Sequence, residues 1–212
     1  MSRIGDVIDE KYQILSLIGE GGMSRVWLAR DTRLLKTWAV KEVGRTAKNA
    51  NNEVVVQSLM AEAALMKKLD HPALPRIVDI IEDGKTIYVV MDLVEGESLK
   101  DALNKRQRPF DQEDVIEWGI QLCDVLEYLH TRTPPVIYRD MKPSNVMLRE
   151  DGTVKLIDFG IAREYKEGKG EDTKMLGTHG YAAPEQLTKN IQSDARTDMY
   201  SLGVTPSEYM SV

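Results

Sequence analysis

The sequence is poor in cysteine: Cys123 is the only one among 212 residues, so no disulfide bond can form within the chain. Cys123 lies in an apolar pattern with helical spacing, which predicts a buried thiol in a reducing compartment. Long apolar runs are also missing, because none approaches the roughly 18 residues that cross a bilayer. The N-terminus lacks the apolar core of a signal peptide. We therefore expect a soluble, cytoplasmic chain with no membrane contact by these residues.

The sequence also has no excess of positively charged residues. Lysine and arginine number 28 against 34 aspartates and glutamates, so the net charge is −6. Nonspecific binding to nucleic acid or to an anionic membrane needs a basic surface, and nucleic acid is therefore not an expected partner. No internal repeat or low-complexity block is visible. The hydrophobic share of 42% is typical of a globular protein with a core.

The N-terminal part of the chain is predicted to be mostly β-strand. Its short runs are rich in β-branched or aromatic residues and are bounded by glycine, aspartate or lysine. The predicted strands are Tyr12–Ile18, Arg25–Arg30, Thr37–Val43, Arg76–Ile81 and Thr86–Met91. One helix is predicted between the third and fourth strands, because apolar residues follow the N-cap candidates at 49–52 with helical spacing.

The C-terminal part is predicted to be mainly helical. Ser98, followed three residues later by Asp101, begins a short helix, and Asp111 with Asp114 begins a longer one. The longer helix carries one apolar stripe and ends at the Thr-Pro-Pro sequence of residues 133–135. The stripe consists of Val115, Trp118, Leu122, Leu126 and Leu129.

The change in composition near Asp92–Gly96 predicts a hinge there. It separates a β-rich first domain, residues 1–92, from a helical second domain, residues 93–212. Strands and helices that are segregated along the chain are typical of an α+β fold. Further on, Glu164–Thr173 is polar and lacks periodicity, which predicts an exposed, mobile loop.

A glycine-rich run, Gly19–Val26, lies between the first two predicted strands. Glycine lets the backbone N–H groups of a hairpin tip approach phosphate oxygens, because no Cβ stands between them. No helix follows the run, so the dinucleotide-binding alternative lacks the structural context that it requires. An ordinary turn is the remaining alternative, and Ser24 in place of a third glycine weakens the phosphate interpretation.

Lys41 ends the run Trp38–Lys41 in the third predicted strand, and Glu62 lies in the predicted helix. Each of these residues alone is typical of a solvated surface. Together they can form an ion pair that leaves the lysine ammonium group able to hold phosphate oxygens.

The sharpest signal is the polar run Tyr138–Asn145, followed by Asp158–Gly160. The aspartate, lysine and asparagine of the first run stand at fixed offsets and can place a base, a cation and a metal ligand around one point. Asp158 adds a carboxylate oxygen, which suits Mg²⁺ because this ion prefers one or two carboxylates together with phosphate oxygens. An accidental polar loop is the alternative, and the presence of both motifs argues against it.

These elements occur together in the order and spacing of one family. From about Tyr12 to Gly203 the chain resembles a Hanks-type Ser/Thr protein kinase, specifically the bacterial branch of that family. The resemblance implies a bilobal, protein-kinase-like α+β fold with a β-rich N-lobe and an incomplete helical C-lobe. It also implies transfer of the γ-phosphoryl group of ATP to Ser/Thr hydroxyls of protein substrates, with Mg²⁺ or Mn²⁺ as the cofactor.

The resemblance also assigns roles to individual residues. The implied catalytic residues are Asp140, Lys142, Lys41, Glu62 and Thr178. The implied ATP-binding residues are Gly19, Glu20, Gly21, Gly22, Met23, Ser24, Val26, Ala39, Lys41, Met91, Asp92 and Val94. Asn145 and Asp158 would hold the metal ion, and Asp198 would anchor the catalytic loop. Arg139 would dock a phosphate on Thr173 and so regulate the enzyme.

Three positions depart from the family pattern. Tyr138 replaces the more usual histidine, and Ser24 replaces a glycine by another small residue, so both changes should be tolerated. After Gly203 the sequence predicts that Pro206 ends the helix that carries Asp198. The family continues there with further helices and with an arginine partner for Glu185. We therefore expect a truncated domain that self-associates through its uncovered C-lobe.

Two other functions stay open. A pseudokinase-like regulatory module, or an inactive truncated fragment, would bind nucleotide without turnover, although Lys41, Asp140 and Asp158 are all present. A small-molecule kinase would not need Gly177–Glu185, which forms a peptide-docking shelf in protein kinases. The bacterial kinases that the chain resembles often continue into a transmembrane helix, so the parent protein can be membrane-tethered.

Overall fold

The computed structural model describes residues 2–20, 24–44, 60–61, 63–84, 86–159, 163–164, 178–188 and 191–210. The chain divides into two compact units. The first comprises Met1–Asp70 and Pro75–Val94, and the second comprises His71–Leu74 and Glu95–Val212. The main boundary, between Val94 and Glu95, lies within the stretch where the composition of the sequence changes.

The first unit is built on a six-stranded antiparallel sheet with the order β1-β2-β3-β4-β6-β5. The strands are β1 Val7–Ile8, β2 Tyr12–Glu20, β3 Ser24–Asp31, β4 Thr37–Gly44, β5 Ile77–Asp83 and β6 Thr86–Asp92. All five predicted strands are confirmed with small shifts at their ends. Residues 60–61 and 63–66 are helical, within the predicted helix, whose earlier residues and Glu62 lie outside the described residues.

The two faces of this sheet carry different cores, because successive side chains of a strand point to opposite faces. One face buries aromatic and aliphatic residues that include Trp27, Trp38 and Tyr88. The other face buries Val43, Ile87 and Val89, together with Ala63 from the helical segment. A sheet that is covered on both faces explains why β6 is apolar along most of its length.

A buried carboxylate interrupts the first of these cores. Glu42 is 2% exposed, and burial of a charge is costly unless hydrogen bonds compensate it. The indole nitrogen of Trp27 donates to Glu42 Oε2 at 2.7 Å, and the backbone N–H of Ser2 donates to Oε1 at 2.8 Å. The Ser2 hydroxyl also contacts the hydroxyl of Tyr88 at 2.9 Å. This network ties the N-terminal residues to the sheet.

The second unit combines helices with three short antiparallel pairings of strands. Its helices are Leu99–Arg106, Gln112–His130 (the long helix) and Ala195–Met210 (the Asp198 helix), with 3-10 turns at Pro143–Asn145 and Pro184–Leu187. Its strands are β7 Glu97–Ser98, β8 Val136–Ile137, β9 Val146–Leu148, β10 Val154–Leu156 and β11 Arg163–Glu164. Strands β10, β9 and β7 form one sheet, and β11 pairs with β8.

The predicted helix starts are confirmed, but only one of them has the expected cap. Ser98 accepts a hydrogen bond from the backbone N–H of Asp101 at 3.0 Å, as an N-cap serine does. Asp111 precedes the long helix without a side-chain cap. Its carboxylate instead accepts from the guanidinium of Arg106 at 2.9 Å.

The long helix buries every residue of its predicted stripe, but the expectation for Cys123 was wrong. Val115, Trp118, Leu122, Leu126 and Leu129 are all buried. Cys123 is exposed. One residue corresponds to about 100° of rotation in a helix with 3.6 residues per turn, so the neighbour of Leu122 is turned away from the stripe. An apolar run therefore does not by itself place a helical residue in the core.

The expectation that Pro206 ends its helix was also wrong, because the Asp198 helix runs from Ala195 to Met210. Proline removes one backbone donor and interferes with one turn, which can kink a helix without ending it. In the preceding turn the hydroxyl of Thr205 donates to the carbonyl of Ser201 at 2.8 Å.

Two further expectations concern a loop and membrane helices. Glu164 forms part of β11, whereas the rest of the predicted loop up to Thr173 lies outside the described residues. In the part of the chain that the structure describes, no helix combines the length and the apolar character needed to cross a membrane.

We expect two neighbouring apolar residues of the long helix to differ sharply in their contribution to stability. Leu122 is 2% exposed and Ile120 is 59% exposed. Leu122→Ala should lower the free energy of unfolding by about 2–5 kcal/mol, because it leaves a cavity in the core. The control Ile120→Ala should change it by no more than about 0.5 kcal/mol. Urea unfolding followed by circular dichroism measures both, and equal losses would contradict this description of the helix.

Candidate active site

In the first unit, the register of the sheet brings several predicted ATP-binding residues onto one face. Gly19 is opposite Val26, and Val26 is opposite Lys41. Ala39 is opposite Met91 in the next pair of strands. Residues directly opposite each other share a face, and so do residues two apart in one strand such as Ala39 and Lys41. Val26, Lys41, Ala39 and Met91 therefore lie together on the face that also carries Val43 and Val89.

The glycine-rich hairpin is described only at its two ends. Glu20 and Arg25 are cross-strand partners, and their side chains form an ion pair with 2.8 Å between Oε1 and Nε. Ser24 begins β3. Among the described residues, a Cβ added to Gly19 would meet Val26 alone, at an ordinary contact distance of 3.6 Å, so packing against them does not require glycine there. Gly21, Gly22 and Met23 lie outside the described residues.

Asp92 and Val94, the predicted adenine contacts, are the last residues of the first unit. The backbone N–H of Asp92 donates to the carbonyl of Arg76 at 3.0 Å, so this N–H is already used within the unit. Burial raises the pKa of the Asp92 carboxyl, but hydrogen bonds from Arg76 outweigh this effect and hold the pKa below its usual value. The Asp92 side chain is therefore a charged partner of Arg76.

In the second unit, Asp140 lies at the centre of a set of hydrogen bonds. Its Oδ2 accepts from the ammonium group of Lys142 at 2.7 Å, and its Oδ1 accepts from the hydroxyl of Thr178 at 3.0 Å. Lys142 also donates to the Thr178 hydroxyl at 2.8 Å. The structure thus brings a carboxylate, an ammonium group and a hydroxyl group together at one point, although 36 residues separate Lys142 from Thr178.

Asn145 also donates to Asp140, at two of its oxygen atoms. Its amide nitrogen donates to the Asp140 carbonyl at 3.0 Å and to Asp140 Oδ2 at 2.8 Å. Both donations use Nδ2, so the amide oxygen is the atom of Asn145 that suits a metal ion. Asn145 is the last residue of the 3-10 turn Pro143–Asn145, and its backbone N–H donates to the carbonyl of Lys142 at 2.9 Å.

Asp158 and Phe159 adopt opposite orientations after β10. The Asp158 backbone has a positive φ of 63°, which is uncommon for a residue other than glycine. Asp158 is exposed, whereas Phe159 is fully buried. The Phe159 ring packs edge-on against the Tyr138 ring, with centroids 5.1 Å apart. This packing fixes the backbone beside Asp158 and leaves its side chain at the surface of the unit.

The 138–145 loop is attached to the Asp198 helix through one buried carboxylate. Asp198 is 0% exposed and accepts from the backbone N–H groups of Tyr138 at 2.9 Å and Arg139 at 2.7 Å. His130, the last residue of the long helix, contacts the same carboxylate at 2.7 Å. The anchoring contact implied for Asp198 is therefore present.

Sequence reasoning missed three residues that hold the segment 178–188. The hydroxyl of Thr197 donates to Glu185 at 2.6 Å, so this carboxylate has a partner within the described chain. The hydroxyl of Ser201 donates to the carbonyl of Tyr181 at 2.8 Å. The side chain of Gln186 donates to the carbonyl of Arg139 at 2.8 Å. These three residues are polar side chains in a helix or a 3-10 turn, and nothing in the sequence distinguishes them from ordinary surface residues.

Tyr138, which occupies the position of the family's usual histidine, is held as a neutral phenol. Burial, and after it the negative charges of Asp158, Asp140 and Asp198, raise the pKa of its hydroxyl well above the usual value. That hydroxyl donates to the carbonyl of Ile157 at 2.6 Å. The side chain therefore joins the 138–145 loop to the residue before Asp158.

Comparison of the sequence with known proteins identifies the family to which this chain belongs. Residues 12–211 match the protein kinase domain family, and the chain belongs to that family. A probable serine/threonine-protein kinase of Clostridium perfringens is 36% identical over 98% of this chain and 30% of its own length. PknA, a serine/threonine-protein kinase of Mycobacterium tuberculosis, is 34% identical over 99% of this chain and 48% of its own length. The chain thus spans less than half of the length of these relatives.

We expect Tyr138→Phe to reveal the raised pKa through the pH dependence of stability. At neutral pH the loss of the hydrogen bond should lower the free energy of unfolding by about 1 kcal/mol. The contribution of the neutral phenol is complete below about pH 10, the ordinary pKa of tyrosine, and declines as the pH rises towards the folded-state value. The gap between wild type and variant should therefore narrow above pH 10.

Urea unfolding at a series of pH values from 7 to above 10 measures the difference in free energy of unfolding between wild type and Tyr138→Phe. Tyr200→Phe is the matched control, because Tyr200 is 47% exposed and its variant should remain close to wild type throughout. A gap for Tyr138→Phe that stays constant with pH would contradict the proposed state of this residue.

Proposed function

We propose that this chain catalyses transfer of the γ-phosphoryl group of ATP to Ser or Thr hydroxyls of proteins. The observation that carries the proposal is the cluster around Asp140, in which Lys142, Asn145 and Thr178 all donate within 3.0 Å. Phosphoryl transfer passes through a loose transition state, so catalysis depends on positioning and charge neutralisation. A fixed carboxylate beside an ammonium group supplies both.

In the proposed reaction, the substrate hydroxyl oxygen bonds to the γ-phosphorus while the bond from that phosphorus to the β–γ bridging oxygen breaks. The hydroxyl proton passes to Asp140, and ADP leaves. Lys142 neutralises charge on the transferring phosphoryl group, and Thr178 keeps one oxygen of Asp140 oriented. The lysine beside this aspartate supports alkyl hydroxyls of Ser and Thr as acceptors, as the resemblance to Ser/Thr kinases implies.

The residues present fit Mg²⁺ or Mn²⁺. Asp158 offers an exposed carboxylate, and Asn145 has its amide nitrogen engaged by Asp140 so that its oxygen can act as a ligand. Oxygen donors of this kind, few in number, suit an ion that completes its shell with phosphate oxygens and water. The ion would supply neutralisation of the β- and γ-phosphate charge. No group of three or more acidic, histidine or cysteine side chains suited to a metal occurs among the described residues.

We propose that residues of the first unit bind ATP. Lys41 would hold the α- and β-phosphates, paired with Glu62 as the resemblance implies. Packing against the described residues does not require glycine at position 19, which supports a close approach of phosphate to this strand. Ala39 and Met91 share a sheet face with Lys41 and would contact the adenine ring, whose amino group would donate to the Asp92 carbonyl.

We expect three substitutions to lower the rate of phosphoryl transfer strongly, for different reasons. Asp140→Asn should lower the rate by about 10²–10⁴-fold, because it removes the base. Lys41→Met and Asp158→Asn should each lower it by at least about 10²-fold, because each removes a fixed charge from the phosphates or from their metal ion. Transfer of radiolabelled phosphate from ATP to a basic protein, with and without chelation of Mg²⁺, measures these effects.

Asp151→Asn is the matched control for this series. Asp151 lies in the exposed turn between β9 and β10, where it contacts Arg149 and Thr153, and its substitution should leave transfer unchanged. Binding of labelled ATP by wild-type protein without any transfer would favour the nucleotide-binding regulatory module instead. Full activity of Asp140→Asn would refute the assignment of the base.

We also propose that the protein phosphorylates itself at Thr173, which lies outside the described residues. A phosphate adds nearly two negative charges and can order a loop by pairing with a basic residue, here Arg139. Mass spectrometry of active wild-type protein should find the peptide containing Thr173 modified, and the Asp140→Asn protein should lack this phosphate. An unmodified peptide in fully active protein would contradict the proposal.

A further inference from the structure

The backbone at Arg139, directly before the proposed base, has an unusual conformation. Its φ is +67°, in the left-handed region that residues other than glycine seldom occupy. Such a conformation persists only where the surrounding structure imposes it. The backbone N–H of Arg139 donates to Asp198 Oδ1 at 2.7 Å, which restrains this residue on its N-terminal side.

Gln186 restrains Arg139 on its C-terminal side. The Gln186 side chain is 2% exposed, and its amide nitrogen donates to the Arg139 carbonyl at 2.8 Å. Its amide oxygen accepts from the backbone N–H of Ala183 at 3.0 Å. Both ends of one buried amide are therefore used, and they join the 138–145 loop to the segment 178–188.

The Arg139 carbonyl matters because of the peptide unit to which it belongs. A peptide bond is planar, so the carbonyl of Arg139 and the N–H of Asp140 turn together as one rigid group. A restraint on that carbonyl therefore restrains the direction in which the Asp140 side chain leaves the backbone. Asp198 and Gln186 together fix the two backbone torsions of Arg139, and Asp140 follows.

We infer that Gln186 is a positioning residue for the proposed base, acting through the peptide that joins Arg139 to Asp140. The inference rests on the proposed function, since it assigns Asp140 as the base. A displacement of the segment 178–188 would therefore disturb Asp140 through two hydrogen bonds. One joins Thr178 to the Asp140 carboxylate, and the other joins Gln186 to the backbone carbonyl of Arg139. A residue at position 186 that only filled space would not restrain the Arg139 carbonyl.

The variant Gln186→Glu tests this directly, because it preserves size while making the donor depend on pH. An ionised carboxylate can accept from Ala183 but cannot donate to the Arg139 carbonyl, whereas a protonated carboxyl group can do both. Burial favours the protonated form of a carboxyl group and so raises its pKa towards the range in which enzymes are assayed. The kcat of the variant relative to wild type should therefore fall by about 10-fold as the pH rises from 6 to 9, the effect of one lost hydrogen bond.

A matched control exists in the same unit. Gln121 makes the same two kinds of contact, accepting from the backbone N–H of Val154 at 2.9 Å and donating to the carbonyl of Gly152 at 3.4 Å. The ratio of the kcat of Gln121→Glu to the kcat of wild type should not change with pH. Asp140, Asp198, Glu185 and Arg139 are present in every protein compared, so the ratio removes their own contributions to the pH profile.

A second variant, Gln186→Met, removes both contacts without adding a charge. It should lower kcat by about 10-fold at every pH and leave the KM for ATP unchanged, because the effect is on the base. Circular dichroism confirms that the proteins compared are folded. If Gln186→Glu does not fold, Gln186→Met alone decides the matter.

The outcomes separate the inference from the proposed function. Active wild-type protein, with a falling ratio for Gln186→Glu and a flat ratio for Gln121→Glu, supports the inference. Active wild-type protein with a flat ratio for Gln186→Glu, or with unchanged kcat in Gln186→Met, overturns the inference alone. Wild-type protein that transfers no phosphate under any condition overturns the proposed function and the inference with it.

Discussion

The hydrogen bonds of the buried Asp198 carboxylate hold three elements of the second unit together. This carboxylate is 0% exposed, and it accepts from two consecutive backbone N–H groups and contacts the histidine at the end of the long helix. A buried charge is tolerated only when several partners compensate its lost hydration, and removal of one partner of a buried pair costs about 3–5 kcal/mol. The 138–145 loop, the long helix and the Asp198 helix are thus held at one carboxylate.

This anchor explains how a short polar loop can hold a precise geometry. Most of this loop lies outside helices and strands, so several of its backbone N–H and C=O groups form hydrogen bonds with side chains instead. Asp198 satisfies the N–H groups of Tyr138 and Arg139, and Gln186 satisfies the next carbonyl. Asn145 and Thr178 then orient Asp140 itself. In the first unit the register of the sheet fixes the positions of the candidate residues, because it places Lys41, Val26 and Ala39 on one face.

Much of the fold could be predicted because local patterns decide it. All five predicted strands appear, Ser98 caps its helix, and the stripe of the long helix is buried. The failures share a cause, which is that a local pattern does not specify surroundings. Cys123 follows a core residue yet faces solvent, and the helix continues past Pro206. The chemistry-bearing residues of the 138–145 loop were found because motif spacing reflects one geometry, whereas Gln186, Thr197 and Ser201 carry no such spacing.

The sequence by itself determined which groups are available: two lysines, a few carboxylates and an amide in the order of a protein kinase domain, on elements whose type follows from periodicity. Only the tertiary structure decided which groups meet. Thr178 reaches Asp140 across 38 residues and Gln186 reaches Arg139 across 47, and no local rule predicts either contact. The physical reason is that hydrogen bonds act over a few ångströms in space, while the distance along the chain between their partners depends on how the whole unit packs.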